Sequence, residues 1–266
     1  MGRLGGRTAL VTGGSRGIGR AIAERLAADG AFVALHYASN DEVADEAVRS
    51  IARSGGAAVA IRVELGIDLD LDALFAGLLD AIGPRPLDIL VNNVGVGGQS
   101  GSIEDVTVEE FDRLFSVNVK APLFIIQRAL PLMANNGRII NVSSADTRIA
   151  LPDELTYSMT KGAINVLSRT LADALGVRGI TVNAVAPGVT DTGKLATLEA
   201  HPKLKAATVA ITALGRIGQP SDVADVVAFL ASDDARWVTG QLIDASGGTF
   251  LGPTGLRRMM GASAGH

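Results

Sequence analysis

The sequence predicts an α/β fold: a doubly wound, seven-stranded parallel sheet with helices on both faces. Three observations carry this expectation. Seven short β-branched runs recur along the chain: Ala9-Leu-Val11, Phe32-Val-Ala-Leu35, Ala58-Val-Ala-Ile-Arg-Val63, Ile89-Leu-Val91, Ile139-Ile-Asn-Val142, Ile180-Thr-Val-Asn-Ala-Val185 and Gln241-Leu-Ile243. Between them, segments such as Ala21-Ile-Ala-Glu-Arg-Leu26 repeat apolar residues every three to four positions and close at glycine, as at Gly30. Right-handed βα crossovers lay such helices over both faces of one sheet, so the strands are buried on both sides and apolar throughout. Finally, Gly, Asn, Asp and Ser cluster where strands end, in Gly13-Gly-Ser-Arg-Gly17, Asn92-Asn-Val-Gly-Val-Gly-Gly98 and Pro187-Gly-Val-Thr-Asp191. Open α/β sheets bind ligands beyond the carboxyl ends of their strands, so these clusters mark the functional edge.

The 266 residues, 47% hydrophobic, suffice for one domain with a large core, assigned here to residues 1–250. Residues 251–266 extend past the last strand as a tail that is either disordered or laid over a neighbouring subunit. A net charge of −4 provides no basic stripe for nucleic acid. The absence of cysteine excludes disulfides, thiolate catalysis and cysteine-ligated metal, so redox chemistry requires an organic cofactor. His36, His201 and His266 are scattered without metal-ligand spacing, and no metal is expected. The first residues carry no long apolar h-region and no run reaches about 18 apolar residues, so the expectation is a cytoplasmic protein without a membrane span.

Taken in order, the first functional element is Thr12-Gly13-Gly14-Ser15-Arg16-Gly17-Ile18-Gly19, between the first strand and a helix expected to begin near Arg20. Glycines here permit a tight turn and bring backbone N–H groups and the positive end of a helix toward a diphosphate. The second strand ends in Ala34-Leu-His-Tyr-Ala-Ser-Asn40, which lacks the acid that usually grips the adenosine ribose of NAD; Asp41 follows and opens the next helix. Ser39 and Asn40 either offer neutral donors to a 2′-phosphate or cap that helix, and Arg16 is either a phosphate ligand or a solvated loop charge.

The remaining motifs follow in order. Asn92-Asn93-Val94-Gly95 closes the fourth strand, Asn118 lies in Val117-Asn118-Val119, Tyr157-Ser-Met-Thr-Lys161 forms YxxxK, Pro187-Gly188 follows the sixth strand, and Gly240-Gln-Leu-Ile-Asp-Ala-Ser-Gly-Gly248 ends the pattern. With the TGxxxGxG spacing of the first loop, residues 5–250 resemble the classical short-chain dehydrogenase/reductase family. The Thr8–Gly19 segment, His36-Tyr-Ala-Ser and Gly215-Arg-Ile-Gly-Gln-Pro220 look like 3-oxoacyl-[carrier protein] reductases and related ketoreductases. Val94 stands where the family usually has alanine, and Glu64 and Ser116 where it commonly has aspartate.

The resemblance implies a single-domain Rossmann-type fold and an NADP(H)-dependent oxidoreductase moving hydride between nicotinamide and a ketone or secondary alcohol. The cofactor would be held by Gly13, Ser15, Arg16, Gly17, Ile18 and Gly19; by Tyr37, Ala38, Ser39 and Asn40; by Glu64 and Leu65; by Asn92, Val94 and Gly95; and by Pro187, Gly188, Val189, Thr190 and Thr192. Arg16 occupies a position that is often basic in NADP(H)-using members. Ser144, thirteen residues before Tyr157, would bind the substrate oxygen, Lys161 would also grip the nicotinamide ribose, and Asn118 would hold a water linking Lys161 to solvent. Tyr157 and Lys161 share one helix face, and an adjacent ammonium is expected to move the phenol toward neutral pH. Taken singly, the same residues read as a surface pair, a strand-end cap for Ser144 and a satisfied buried amide for Asn118. Ser143 rivals Ser144.

Alternative functions are an NAD-dependent alcohol, sugar or steroid dehydrogenase and a catalytically silent dinucleotide-binding regulator. The segment from Thr190 to Gly215 lies where the family has its substrate lid and has mixed character. Arg178 fits one position of a carrier-protein docking patch, whereas Asn135 stands where another base is frequent, which argues against carrier dependence. Apolar length around Val119–Ile126, in the Tyr157 helix and in the final strand suits a homo-oligomer, a tetramer by family resemblance.

Overall fold

The computed structural model describes residues 2–98, 101–193, 202–249 and Leu251. Residues 194–201 of the expected lid and 252–266 of the tail lie outside the described residues. Seven strands alternate with helices in the order β1 (Thr8–Val11), α1 (Gly17–Ala28), β2 (Phe32–Tyr37), α2 (Asp41–Arg53), β3 (Ala57–Arg62), α3 (Leu71–Ile82) and β4 (Leu87–Asn92). Then come α4 (Val108–Phe115), α5 (Ala121–Ala129), β5 (Met133–Val142), α6 (Leu155–Leu175), β6 (Thr181–Pro187), α7 (Pro202–Ala210), α8 (Pro220–Ala231) and β7 (Leu242–Ala245). The strand order is β3-β2-β1-β4-β5-β6-β7, and every neighbouring pair is parallel. Winding runs outward one way from β1 and the other way from β4, which leaves a crevice above the β1/β4 boundary.

The apolar strands pack on two sides, as their composition requires. Ala9 and Val11, Val33 and Leu35, and Ile89 and Val91 join one core with Ile22, Leu26, Val223 and Val227 of α1 and α8. Their alternates Leu10, Ala34 and Leu90 join a second core with Leu74, Leu78 and Ile125 of α3 and α5. Period-two alternation thus fills both faces. No helix among the described residues is long and apolar enough to cross a membrane.

Two boundaries depart from the expected ones. Helix α1 begins at Gly17, not near Arg20, which makes Arg16 its N-cap residue. Strand β5 begins at Met133, well before Ile139, because Leu87 pairs with Met133 and a register shift follows before Ile89 meets Arg138. The intervening Asn135-Asn136-Gly137 supplies no apolar signal, and Asn136 sits at φ 61°, a conformation that Asn tolerates better than most residues.

Candidate active site

The turn after β1 is held from three sides. Gly14 N–H donates to the His36 carbonyl at 2.8 Å, and Gly13 N–H donates to His36 Nδ1 at 3.1 Å. Thr12 Oγ1 accepts from the N–H groups of Asn93 (2.9 Å) and Val94 (3.1 Å), and Asn93 Nδ2 donates to the Thr12 carbonyl at 2.9 Å, joining the ends of β1 and β4. A Cβ on Gly19 would lie 2.1 Å from the Gly13 carbonyl oxygen, so that glycine is required by close approach. Gly13 and Gly17 occupy φ +65° and +54°, where a side chain is strained.

Helices α2, α3 and α4 have their first N–H groups capped by Asn40, Asp70 and Thr107. Helix α1 has neither a side-chain cap nor an acid in its first turn. Its free donors and positive end open onto the crevice, a donor set that fits the diphosphate of a dinucleotide.

Beside this turn, Arg16, Ala38, Ser39 and Asn40 are all exposed, and Arg16 has no ion-pair partner among the described residues. Asn40 Oδ1 accepts from Val43 N–H at 3.0 Å, so the oxygen serves the cap of α2. Asp41 accepts from the Tyr37 hydroxyl at 2.8 Å and pairs with Arg62 at 3.2 Å. Arg62, paired in register with Tyr37 at the end of β3, was not among the candidates because it sits in an ordinary strand pattern. Glu64 is exposed, whereas the Leu65 side chain is buried in the second core and leaves only backbone to face a ligand.

The fourth-strand motif needs correction at one residue. The Asn92 side chain is buried and turned away from the crevice, with Nδ2 donating to Asn141 Oδ1 at 2.9 Å, while Asn141 Nδ2 donates to Ser168 Oγ at 2.9 Å. Asn93 is the one whose amide holds the glycine turn and lines the cavity. Adjacent asparagines in a strand point to opposite faces, and the sequence alone did not say which face was which.

Asn118 lies in a π-helical turn, Ser116–Lys120, between α4 and α5, a local widening frequent at functional sites. It is 1% exposed; Nδ2 donates to the Val96 carbonyl (2.9 Å) and Thr160 Oγ1 (3.1 Å), and Oδ1 accepts from Val96 N–H (2.9 Å). Since Thr160 Oγ1 donates to the Tyr157 carbonyl at 2.7 Å, these bonds lock the π-turn to the helix that carries Tyr157. Both serines line the cavity; the Ser143 hydroxyl donates to Asn165 Oδ1 at 2.6 Å, whereas Ser144 Oγ accepts from Asp146 N–H at 3.2 Å, a bond that does not use its own proton. The commitment of the Ser143 hydroxyl to Asn165 favours Ser144 of the two.

Lys161 is 4% exposed and its Nζ donates to the Val142 carbonyl at 3.0 Å. A Cβ on Gly95 would come within 3.2 Å of that nitrogen, so glycine keeps the lysine's outlet open. Burial pushes Lys161 down to about 8, with Asp146 opposing. Tyr157 moves opposite to expectation: burial, then Asp146, push it up to about 12, with the Ser144 hydroxyl opposing. The physical reason is distance and desolvation: Lys161 Nζ lies 5.7 Å from the tyrosine ring centre and spends its bond on Val142.

Ser144, Tyr157 and Lys161 open onto a cavity of ≈ 270 Å³ together with Ile18, Gly95 and Thr192, which joins the start of α1 to the ends of β4, β5 and β6. Pro187, Gly188 and Thr190 also line it, whereas Val189 faces a neighbouring depression with Leu214 and Arg216. A larger open hollow beside Lys120 and Phe124 contains none of these groups. Arg178, half-buried, donates to the carbonyls of Leu130 (3.0 Å) and Met133 (2.6 Å). No cluster of three metal-ligating side chains occurs among the described residues.

A glycine turn at an uncapped helix start, facing a serine, a protonated tyrosine and a buried lysine, defines a nicotinamide-dependent oxidoreductase. Comparison with known proteins narrows the class. The family model described as enoyl-(acyl carrier protein) reductase matches residues 13–249. The landomycin C-6 ketoreductase LanV, solved with bound NADP and rabelomycin, is 52% identical, with a TM-score of 0.86 over 94% of this chain and 99% of that one. LugOII, a promiscuous reductase that catalyses keto-reduction at C1 during lugdunomycin biosynthesis, is also 52% identical, with a TM-score of 0.88 over 93% and 99% of the two chains. Versicolorin reductase 1 of Aspergillus parasiticus is 40% identical over 259 residues, 93% of this chain and 98% of the relative. The chain belongs to the short-chain dehydrogenase/reductase family.

Proposed function

We propose that the protein is an NADP(H)-dependent ketoreductase that reduces a ketone on a polycyclic scaffold. The observation that carries this reading is the meeting of Ser144, Tyr157 and Lys161 on one cavity that Ile18 and Gly95 join to the glycine turn. The substrate class is supported by the similarity to LanV, LugOII and versicolorin reductase.

When bound, NADPH supplies a hydride to the carbonyl carbon. Ser144 Oγ holds the carbonyl oxygen, and Tyr157 Oη gives its proton to that oxygen as negative charge develops there. Lys161 would grip the nicotinamide ribose and return a proton to the tyrosine, and Asn118, its Nδ2 committed to Val96 and Thr160, would use its remaining acceptor capacity for the water through which Lys161 reaches solvent. Ser15, Gly17, Ile18 and Gly19 would hold the diphosphate, and Gly13, its N–H spent on His36 Nδ1, would shape the turn that presents them. Arg16, Ser39 and the Asn40 amide nitrogen meet the 2′-phosphate, and the backbone at Tyr37, Ala38, Glu64, Leu65, Val94 and Gly95 flanks the adenosine. Pro187, Gly188, Thr190 and Thr192 would flank the nicotinamide, with Val189 contributing backbone alone because its side chain faces the neighbouring depression. Residues 1–250 form one domain for this chemistry.

The cofactor choice is tested at Arg16. A charge-assisted contact contributes about 1.5–3 kcal/mol, and because Arg16 is exposed, screening favours the lower end, so Arg16→Ala weakens NADPH by roughly tenfold. NADH binding changes little. Ser39→Asp shifts preference the same way, by repelling phosphate and offering the ribose an acceptor. Titrations of both cofactors at fixed salt read the outcome; equal losses for the two sink the role of Arg16, and a wild-type preference for NADH sinks the cofactor assignment.

We also propose a homotetramer. Val108 (72% exposed), Leu123 (40%), Met159 (47%) and Val166 (55%) keep large apolar side chains in solvent on α4, α5 and α6, more than a lone chain needs to expose. Light scattering on the eluted protein reads a four-chain mass; a monomer removes the assignment.

A further inference from the structure

Beneath the phosphate-binding turn lies a histidine that the proposed chemistry does not use. His36, in β2, is 1% exposed, and its two ring nitrogens hold two different elements. Nδ1 lies 3.1 Å from Gly13 N, and Nε2 lies 2.7 Å from the Val63 carbonyl oxygen. A carbonyl only accepts, so Nε2 carries the proton; a backbone N–H only donates, so Nδ1 is bare. Only the neutral Nε2–H tautomer satisfies both bonds. The His36 carbonyl also accepts from Gly14 N–H at 2.8 Å, so one residue anchors two successive N–H groups of the turn. Through Val63 it fixes that turn against the chain leading into Glu64 and Leu65.

We propose that His36 is a positioning residue for the cofactor: its neutral imidazole sets the spacing between the diphosphate turn and the adenosine side of the crevice, and binding requires it unprotonated. The inference rests on the reading of the crevice as a dinucleotide site. Protonated, Nδ1–H would face Gly13 N–H, donor against donor, and the turn would have to shift. Nothing nearby offsets that charge. Tyr37, next to His36 on β2, and Arg62 on the paired strand β3 are both committed to Asp41, and Glu64, just past the end of β3, is exposed. Asp72 and Asp80 of α3, which packs on β2, are exposed, and the glycine turn with Asn93 and Val94 supplies no ionisable group. Burial lowers the histidine below its ordinary value, opposed by the Val63 carbonyl.

The test measures binding of NADH and NADPH from about pH 5 to about pH 8 by wild type, His36→Asn and His36→Leu, with folding of each checked by circular dichroism at every pH. Including NADH removes the titration of the 2′-phosphate itself, which falls near the same range. Wild type loses affinity for both cofactors on the acid side, by roughly fivefold to tenfold, the loss of one hydrogen bond and its replacement by repulsion. His36→Asn offers Oδ1 to Gly13 N–H and cannot be protonated but no longer reaches the Val63 carbonyl, so at neutral pH it binds both cofactors more weakly than wild type and better than His36→Leu, and it loses the acid limb. His36→Leu binds both cofactors roughly fivefold more weakly at every pH. If His36→Asn keeps the wild-type acid limb, or His36→Leu binds as wild type does, the proposal is overturned. Should His36→Leu not fold, the asparagine variant decides alone. A preference for NADH would overturn the NADP(H) assignment and leave this result standing; failure to bind either cofactor would overturn both.

Discussion

Replacing Tyr157 by phenylalanine lowers ketone-reduction turnover by about 10²–10⁴-fold and leaves folding and cofactor affinity near wild type, the range expected when one positioned proton donor is removed. The ring stays and keeps its packing on α6; the hydroxyl and its transferable proton go. The raised phenol pKa, about 12, sets the pH behaviour as well. At neutral pH the group is protonated and ready to act as an acid, so on its account the reduction rate is flat there and falls only at strongly alkaline pH. Oxidation of the alcohol needs the same group to accept a proton, and its rate rises with pH. NADPH consumption with a panel of fused-ring ketones, compared between the two proteins, checks this; turnover in the phenylalanine variant above a tenth of wild type would falsify the assignment of Tyr157.

Lys161→Met has two effects of opposite sign. Turnover falls by at least about 100-fold, because the ammonium that serves the tyrosine and the ribose is gone. The cofactor-free protein, however, becomes more stable at neutral pH. Burial lowers the lysine from its ordinary 10.5 to about 8, so below about 8 it is charged in both folded and unfolded states and the penalty of burying that charge is present in full. As pH rises toward 10.5 the folded state releases its proton while the unfolded state keeps it, and the penalty fades. Methionine, of similar length and apolar, removes the penalty but leaves the Val142 carbonyl without its donor, so the net gain is about 1–2 kcal/mol. Melting temperatures at about pH 7 and about pH 10 measure it. A variant less stable than wild type at the lower pH would show that the lysine's hydrogen bond outweighs its desolvation. Such exchanges of stability for function are frequent at catalytic groups.

Much of this was legible in the sequence because two periodicities and one spacing leave little choice. The seven apolar runs became seven parallel strands, and the glycine spacing after β1 became a turn whose Gly19 tolerates no Cβ. YxxxK placed Tyr157 and Lys161 on one face of a helix because four residues make just over one turn. What escaped depended on three dimensions. The choice between Asn92 and Asn93 turns on which face of β4 looks into the crevice. The direction of the Tyr157 shift turns on burial outweighing a lysine whose nitrogen faces the Val142 carbonyl. The π-turn at Asn118 has no composition of its own; it follows from how α4 and α5 join. Arg62 and His36 read as ordinary strand residues until the register set one beside Tyr37 and the geometry set the other under Gly13.

The strand order has a consequence for the chain as it leaves the ribosome. Strand β1 pairs with β2 on one edge and with β4 on the other. The β1-β2-β3 half is complete by Arg62, but the second edge of β1 has no partner until residues 87–92 emerge. During that interval the nascent polypeptide presents Thr8-Ala-Leu-Val11, an apolar row of unpaired amides, to its surroundings. Parallel pairing across long sequence separations is slow, which prolongs the exposure. The same central edge that later frames the crevice is thus a place where a chaperone would have amides to protect and where a stalled or truncated chain could self-associate.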